Sequence, residues 1–339
     1  WYWHRTDRLR FILTRRPDSN VENRSFAVVR SKVIVAIAPL TIDFETGVDD
    51  QPTKRMTYAG TGVPLPIVDQ SLPRKEREQV YASIFDEIDR IARQEGVEQL
   101  EIRWPVSHFE NPGSCVNFLP RYGMTDRPQL TSVVDLRSDL DAIWANIENP
   151  HRRWIKKAEK RAQFRIVSAS NVATADIEQF KSFYFGVAGK RTHSDESFAL
   201  LETAVGRGLG VLTWAEVDSV AAGVVFALIY KDHAYYLMGA NAAEVETPVG
   251  HFIHWELMKF LKSTGVARYE LGLQQWPGSD QDGATEKDFS IAAFKRRFGG
   301  NLTPSFRAEK FYSTQRYTDT WSRRIDQACA ATFSGDPVK

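Results

Sequence analysis

The sequence predicts an α/β protein of two lobes, each a mixed central sheet flanked by helices. Two observations lead there. A helix–Gly–Val–strand unit occurs twice, as Asp86-Glu-Ile-Asp-Arg-Ile-Ala-Arg-Gln-Glu-Gly-Val97 and as Glu256-Leu-Met-Lys-Phe-Leu-Lys-Ser-Thr-Gly-Val266. Each unit follows apolar runs of strand length. A chain of 339 residues with 42% hydrophobic and 26% charged residues can bury the core that such lobes need.

In the first half, strands are expected over residues 26–30 and 32–40, then a Gly/Pro loop, Gly60-Thr-Gly-Val-Pro-Leu-Pro66. Residues 76–95 form an amphipathic helix, with Val80, Ile84, Ile88 and Ile91 at helical spacing. Gly96 stops it and 97–104 reads as the next strand. The lobe boundary falls near Asn146-Ile-Glu-Asn-Pro150, because proline disfavours helix in the residue before it. This divides the chain into residues 1–148, residues 149–311 and a tail over 312–339. In the second half, strands are expected over 210–214, 222–230 and 233–238. A helix over 250–263 follows, ended by Gly265 before a strand over 266–273.

Bulk properties narrow the function. A formal net charge of +1 argues against a protein that coats nucleic acid through overall basicity, and DNA is not an expected partner. Two cysteines, Cys115 and Cys329, supply neither a zinc spacing nor a disulfide framework. No apolar run approaches the length of a membrane helix, and no signal-peptide pattern is seen. A cytoplasmic location is expected, including peripheral contact at the inner face of the membrane.

The densest positive segment is His151-Arg-Arg-Trp-Ile-Lys-Lys-Ala-Glu-Lys-Arg-Ala-Gln-Phe-Arg165. Read as one helix, it buries Ile155, Ala158 and Ala162 and stacks Arg152, Lys156 and Lys160 beside Arg153, Lys157 and Arg161. Like charges one turn apart repel, and an anionic partner relieves them; a solvated helix face accounts for the pattern equally well.

A second helix is expected in Glu286-Lys-Asp-Phe-Ser-Ile-Ala-Ala-Phe-Lys-Arg-Arg-Phe-Gly-Gly300, capped by Asp288 or Ser290 and ended by the glycines. With Ile291 at the centre of a helical wheel, Phe294 and Phe298 lie within about 60° on one side and Lys295 about 40° on the other. Arg296 projects away and Arg297 lies at the border. An ammonium on the apolar stripe either snorkels or sits desolvated in a cleft, where it suits an oxyanion.

Phe294-Lys-Arg-Arg-Phe-Gly-Gly300, preceded by Tyr269-Glu-Leu-Gly272, resembles the C-terminal signature of the Fem family of aminoacyl transferases. Arg152-Arg-Trp-Ile-Lys-Lys-Ala-Glu-Lys160 resembles the family's basic helix, and Tyr235-Tyr-Leu-Met-Gly-Ala240 followed by His254-Trp-Glu256 also fits. The similarity covers most of the chain, and the order and spacing of the motifs carry it. It implies tandem acetyltransferase-like (GNAT) lobes, with the final segment returning to the first. It also implies transfer of an aminoacyl group from charged tRNA to an amine of a cell-wall, glycan or natural-product acceptor, small-molecule or lipid-linked. Phe294 and Lys295 match the family's pair at the reacting centre. The long coiled-coil arm of some members is absent.

Amide formation needs a neutral amine, a stabilised oxyanion and aligned reactants. Lys295 is the expected oxyanion partner. Glu270, in an otherwise apolar strand, is a candidate base if it faces inward, where burial would raise its pKa. Arg152, Arg153, Lys156, Lys157, Lys160, Arg191, Tyr236, Trp276 and Arg297 are expected to meet substrate. No cofactor is expected. The alternative, N-acylation of an amino sugar or similar amine from acyl-coenzyme A, is disfavoured, since neither Gly60-Thr-Gly62 nor Glu246-Thr-Pro-Val-Gly250 offers the glycine-rich phosphate cradle. A silent module binding an anionic glycan or nucleotide is a third reading, which the Phe294–Lys295 pair disfavours. His251 and His254 share a helix with no third ligand in view, so no metal is expected. Trp276-Pro-Gly-Ser-Asp-Gln-Asp-Gly283 has the composition of a substrate lid.

Overall fold

A computed structural model describes residues 2–16, 20–46, 52–106, 116–276 and 284–333. Helix α1 (Thr6–Thr14) leads into strands β1 (Asn20–Asn23), β2 (Phe26–Arg30), β3 (Val33–Ala38), β4 (Thr41–Thr46) and β5 (Pro52–Met56). The short strands β6 (Val63–Pro64) and β7 (Ile67–Val68) come before α2 (Arg74–Glu95) and β8 (Gln99–Trp104). Next are β9 (Thr125–Asp126), β10 (Gln129–Asp135), α3 (Leu140–Asn146), α4 (Asn149–Ala158) and β11 (Ala162–Val167). Helices α5 (Thr174–Ala188) and α6 (Asp195–Gly206) precede β12 (Gly210–Val217), β13 (Val220–Tyr230) and β14 (His233–Asn241). The chain ends with α7 (Val249–Ser263), β15 (Arg268–Gln274), α8 (Glu286–Arg296), β16 (Asn301–Phe311) and α9 (Thr314–Phe333).

The two units read from the sequence are α2–β8 and α7–β15. In α2 the spacing of Val80, Ile84, Ile88 and Ala92 buries one stripe, and Gly96 terminates it at φ 69°, a conformation that costs glycine nothing. Each such aliphatic side chain stabilises by about 1.5–3 kcal/mol when fully buried. Helix α7 is buried over most of its surface, including Phe252, Ile253, Leu257, Met258 and Leu261.

A single thirteen-stranded sheet runs β1-β4-β5-β8-β16-β10-β15-β14-β13-β12-β11, with β6 and β9 attached at β8 and β16. Strands β2, β3 and β7 make a separate small sheet. Strand β16 joins the two halves. Its residues 301–305 pair with β10, and its residues 306–311 pair with β8. Behind it, α9 is anchored by Arg324, whose guanidinium holds buried Glu309 at 2.5 and 2.9 Å.

The basic segment differs from expectation. Helix α4 ends at Ala158, and residues 162–167 form β11, paired antiparallel with β12. Ala162, Phe164 and Ile166 alternate with polar residues, a two-residue period that the sheet edge satisfies better than a helix does. Lys160 and Arg161 therefore lie in an exposed turn rather than on a helix flank.

Beyond one short stretch, β14 and β15 part. Their parallel pairing covers only His233↔Arg268, Ala234↔Tyr269 and Tyr235↔Glu270. From Tyr236 and Leu271 onward the two strands carry no mutual ladder, which opens a notch in the sheet above Glu270.

Candidate functional site

Helix α8 covers this notch. Its first turn is held by a capping box between Thr285 and Asp288, so Thr285 is the cap and Asp288 the third helical residue. The inward face carries Ala292, with Phe294 and Lys295 beside it and buried Phe298 just past the helix end, while Ile291 is 41% exposed. The buried arc is therefore rotated toward Ala292 relative to a wheel centred on Ile291.

Lys295 points into the notch. Its Nζ lies 5.2 Å from the centre of the Tyr236 ring, and a Cβ on Gly272 would meet it at 3.4 Å. Gly272 has φ 95°, so the absent side chain serves both the backbone turn and the space for the ammonium. Burial disfavours the charged form and lowers the Lys295 pKa to about 8; Arg103 adds to this, while Glu270 and Asp288 oppose it. The ammonium thus remains charged near neutrality but is poorly hydrated, the state in which a cation interacts most strongly with a developing oxyanion.

Glu270 faces inward and is 1% exposed. Its carboxylate accepts from Thr131 Oγ1 at 2.9 Å, lies 3.2 Å from His233 Nε2, and pairs with Arg103 at 3.7 Å. Burial alone would raise its pKa, as expected from the sequence. The His233 contact, the Arg103 charge and the Thr131 hydroxyl outweigh that, and the pKa is lowered. Glu270 is held as a carboxylate, so its geometry fits a fixed negative anchor better than a base awaiting a proton.

Arg103 comes from β8, in the other half of the sheet. Its burial opposes its charge, but Tyr235 and Glu270 more than compensate and raise its pKa. Trp3 packs edge-on against Tyr235 at 5.1 Å and lies 5.7 Å from the Arg103 guanidinium. Arg103, Tyr235, Trp3, Thr131 and His233 are the site residues that sequence inspection does not single out. The available signals are an arginine in a strand of alternating polar and apolar residues (Arg103) and a tyrosine pair of which Tyr236 alone stands out.

Beneath α8, three histidines meet two phenylalanines. His151 and His251 stack edge-on at 4.4 Å, His151 Nε2 lies 3.0 Å from the Phe294 carbonyl, and His254 contacts Phe298 at 5.2 Å. His254 Nδ1 is 3.0 Å from the Tyr269 hydroxyl. Desolvation lowers the pKa of His251 to about 4 and of His254 to about 3, so both are neutral packing groups at pH 7. Among the described residues no group of three His, Cys, Asp or Glu side chains could hold a metal ion.

The remaining expected substrate residues scatter. Arg152 donates to the carbonyls of Trp144 and Ala145 and to Asn149, closing the end of α3. This engagement gives it a capping geometry rather than an open one. Lys157 lies over Trp154 and Lys156 near Trp144, and both lysines and Arg153 are exposed. Arg297 is exposed and 3.4 Å from Glu148. Trp276 is 39% exposed at the end of β15, and the lid expected after it, residues 277–283, lies outside the described residues, as does Cys115. Arg191 pairs with Asp195 at 2.8 Å and, with Arg15, Arg16, Lys190 and His193, lines a cavity of about 860 Å³.

The start of α7 lacks a glycine-rich turn. A Cβ on Gly250 would lie 2.7 Å from Asn241 Nδ2, and Pro248, which has no N–H, precedes the first turn. No helix among the described residues is long and apolar enough to cross a membrane.

Comparison with known proteins agrees with this architecture. Residues 146–286 match the acetyltransferase (GNAT) domain family. The crystal structure of FemX superposes with a TM-score of 0.61 at 14% identity, covering 93% of this chain and 98% of that one. The C-terminal domain of an Agrobacterium fabrum protein named as a lysylphosphatidylglycerol synthetase gives 0.58 at 14% identity, over 92% and 89%. A tandem GNAT protein from the clavulanic acid biosynthesis pathway gives 0.52 at 14% identity, over 91% and 87%. A comparison with curated protein sequences finds no match. The chain thus carries an acetyltransferase (GNAT) domain over residues 146–286 and shares its overall fold with FemX and the tandem GNAT protein.

Proposed function

We propose that the chain transfers an aminoacyl group from charged tRNA to the amine of a cell-wall, glycan, lipid-linked or natural-product acceptor. The observation that carries the chemistry is the desolvated ammonium of Lys295 over Tyr236 in the β14–β15 notch. As the amine attacks the ester carbonyl, negative charge gathers on the carbonyl oxygen and Lys295 stabilises it. Glu270, fixed by Thr131, His233 and Arg103, balances the ammonium when no oxyanion is present. The leaving ribose oxygen takes up the proton that the attacking amine loses, so no separate base is required.

Two features support tRNA over coenzyme A as donor. The first turn of α7 packs Gly250 against Asn241 and is preceded by Pro248, which has no N–H. Exposed cations on α4 and in the 860 Å³ cavity suit a phosphate-rich substrate.

The test offers the protein charged tRNA or acyl-coenzyme A with a panel of amines and follows amide formation. Deacylation of tRNA coupled to amide formation is the expected result. Thiol release from acyl-coenzyme A instead would reassign the donor, and inertness with both would leave an anion-binding module.

A further inference from the structure

One buried cation has no role in the site described above. Arg8, on α1, is 5% exposed, with its guanidinium 4.8 Å from the Trp3 ring and 4.9 Å from the Phe11 ring. Its Nε and NH1 are shut away from solvent without a hydrogen-bond partner. Burial opposes its charge most strongly, and the groups that act on it next are Tyr2, Tyr58, Tyr235 and Arg103, three phenols and a second cation. The adjacent Asp7 is turned to Arg5 and Arg207.

Two further enclosed donors at this place lack partners: the Tyr58 hydroxyl and Nε of Arg103. Native proteins rarely leave buried donors unpaired, and an uncompensated buried charge is among the most destabilising features a fold can carry. The flanking rings attract the guanidinium but do not satisfy its N–H groups. Further along the helix Arg15 adds to the positive field, its own charge opposed by Arg8 and Arg16. Such a cluster is costly for the protein alone and favourable once an anion enters.

We infer that Arg8, with Tyr58 and Arg103, receives an oxyanion, a carboxylate or phosphate carried by the substrate close to its reacting group. Tyr235 links the two places. Its hydroxyl would lie 3.8 Å from a Cβ on Gly272, beside Lys295, and it is a hydrogen-bond partner of Arg103. The site's nearness to the reaction rests on the acyl-transfer reading, whereas the anion site itself does not. A guanidinium offers two parallel N–H donors, so a planar carboxylate or a phosphate face fits it and a halide does not.

The experiment titrates the protein and its Arg8→Met variant with inorganic phosphate, pyrophosphate and succinate, at constant ionic strength against chloride, by calorimetry and thermal unfolding. Saturable binding of at least one oxyanion is expected, weakened at least tenfold in Arg8→Met. Without ligand the variant should melt no lower than the parent, because an unpaired charge has been removed. Preference for the phosphates points to a phosphorylated substrate, and preference for succinate to a carboxylate. Failure of all three to bind the parent, equal affinity in Arg8→Met, or a lower melting point for that variant without ligand overturns the inference. Tyr58→Phe serves as a second variant in the same comparison, and unchanged affinity there has the same force. Oxyanion binding without amide formation would remove the acyl-transfer reading and leave this site standing.

Discussion

Arg103 and Glu270 form an ion pair of 3.7 Å between β8 and β15, strands separated in the sheet by β16 and β10. The pair therefore ties the electrostatics of Lys295 to a residue far away in sequence. Replacing Arg103 by Gln leaves Glu270 short of a buried partner, which typically costs about 3 kcal/mol or more. It also removes the repulsion that helps to lower the Lys295 pKa. Stability should fall in urea unfolding, and the alkaline limb of the kcat–pH profile should move to higher pH. A profile that stays in place would show that Arg103 has no part in tuning Lys295.

Lys295 should give opposite pH trends in activity and stability. With a folded pKa of about 8, below its value of 10.5 in a solvated chain, the unfolded state binds more protons between these values. The destabilising contribution of this group thus fades as pH rises from 8, whereas catalysis by the ammonium is lost over the same range. Lys295→Ala should lower kcat by about 10²–10³-fold, the scale of removing one oxyanion donor, without lowering the melting temperature. Single-turnover assays on the variant and on Lys295→Arg decide this, because arginine should restore a charged donor but place it differently.

Gly272→Ala should damage the site more than the fold. Its φ of 95° disfavours any side chain, and the new methyl would lie in contact with the Lys295 ammonium at 3.4 Å. A stability loss of about 1–2 kcal/mol is expected from the backbone alone. A disproportionate fall in kcat, with KM little changed, would mark displacement of Lys295.

The histidines under α8 should make the protein acid-sensitive. The folded pKa values of His251 and His254, about 4 and about 3, lie below the ordinary 6.5, so the unfolded state takes up protons first as pH falls. Each group then withdraws up to about 1.4 kcal/mol per pH unit between 6.5 and its folded value. Urea unfolding at pH 7 and pH 5 should show this loss, reduced in His251→Gln.

Legibility in the sequence followed the range of the interactions. Helices α2 and α7 were visible because their apolar spacing and terminal glycines are local signals. Lys295 stood out for the same reason, since its position against Phe294 and Phe298 is a matter of helical angle. The strand β11 was hidden inside a run of helix-favouring cations, and only its pairing with β12 selects the extended form. Arg8 gave no local signal, and Arg103 only the weak one of a charge within a strand. Their importance comes from groups brought to them by β15 and by the packing of α1, contacts no sequence window contains.

Strand β16 has a consequence for how the chain can be taken apart. Because one continuous run of backbone completes the ladders of both β8 and β10, neither half owns a finished sheet. A cut near residue 148 would leave the earlier fragment with two bare edges and strip the later one of β10. The two lobes should therefore melt together in one cooperative transition, and a duplicated ancestry would survive only as a molecule that can no longer be separated into its parts.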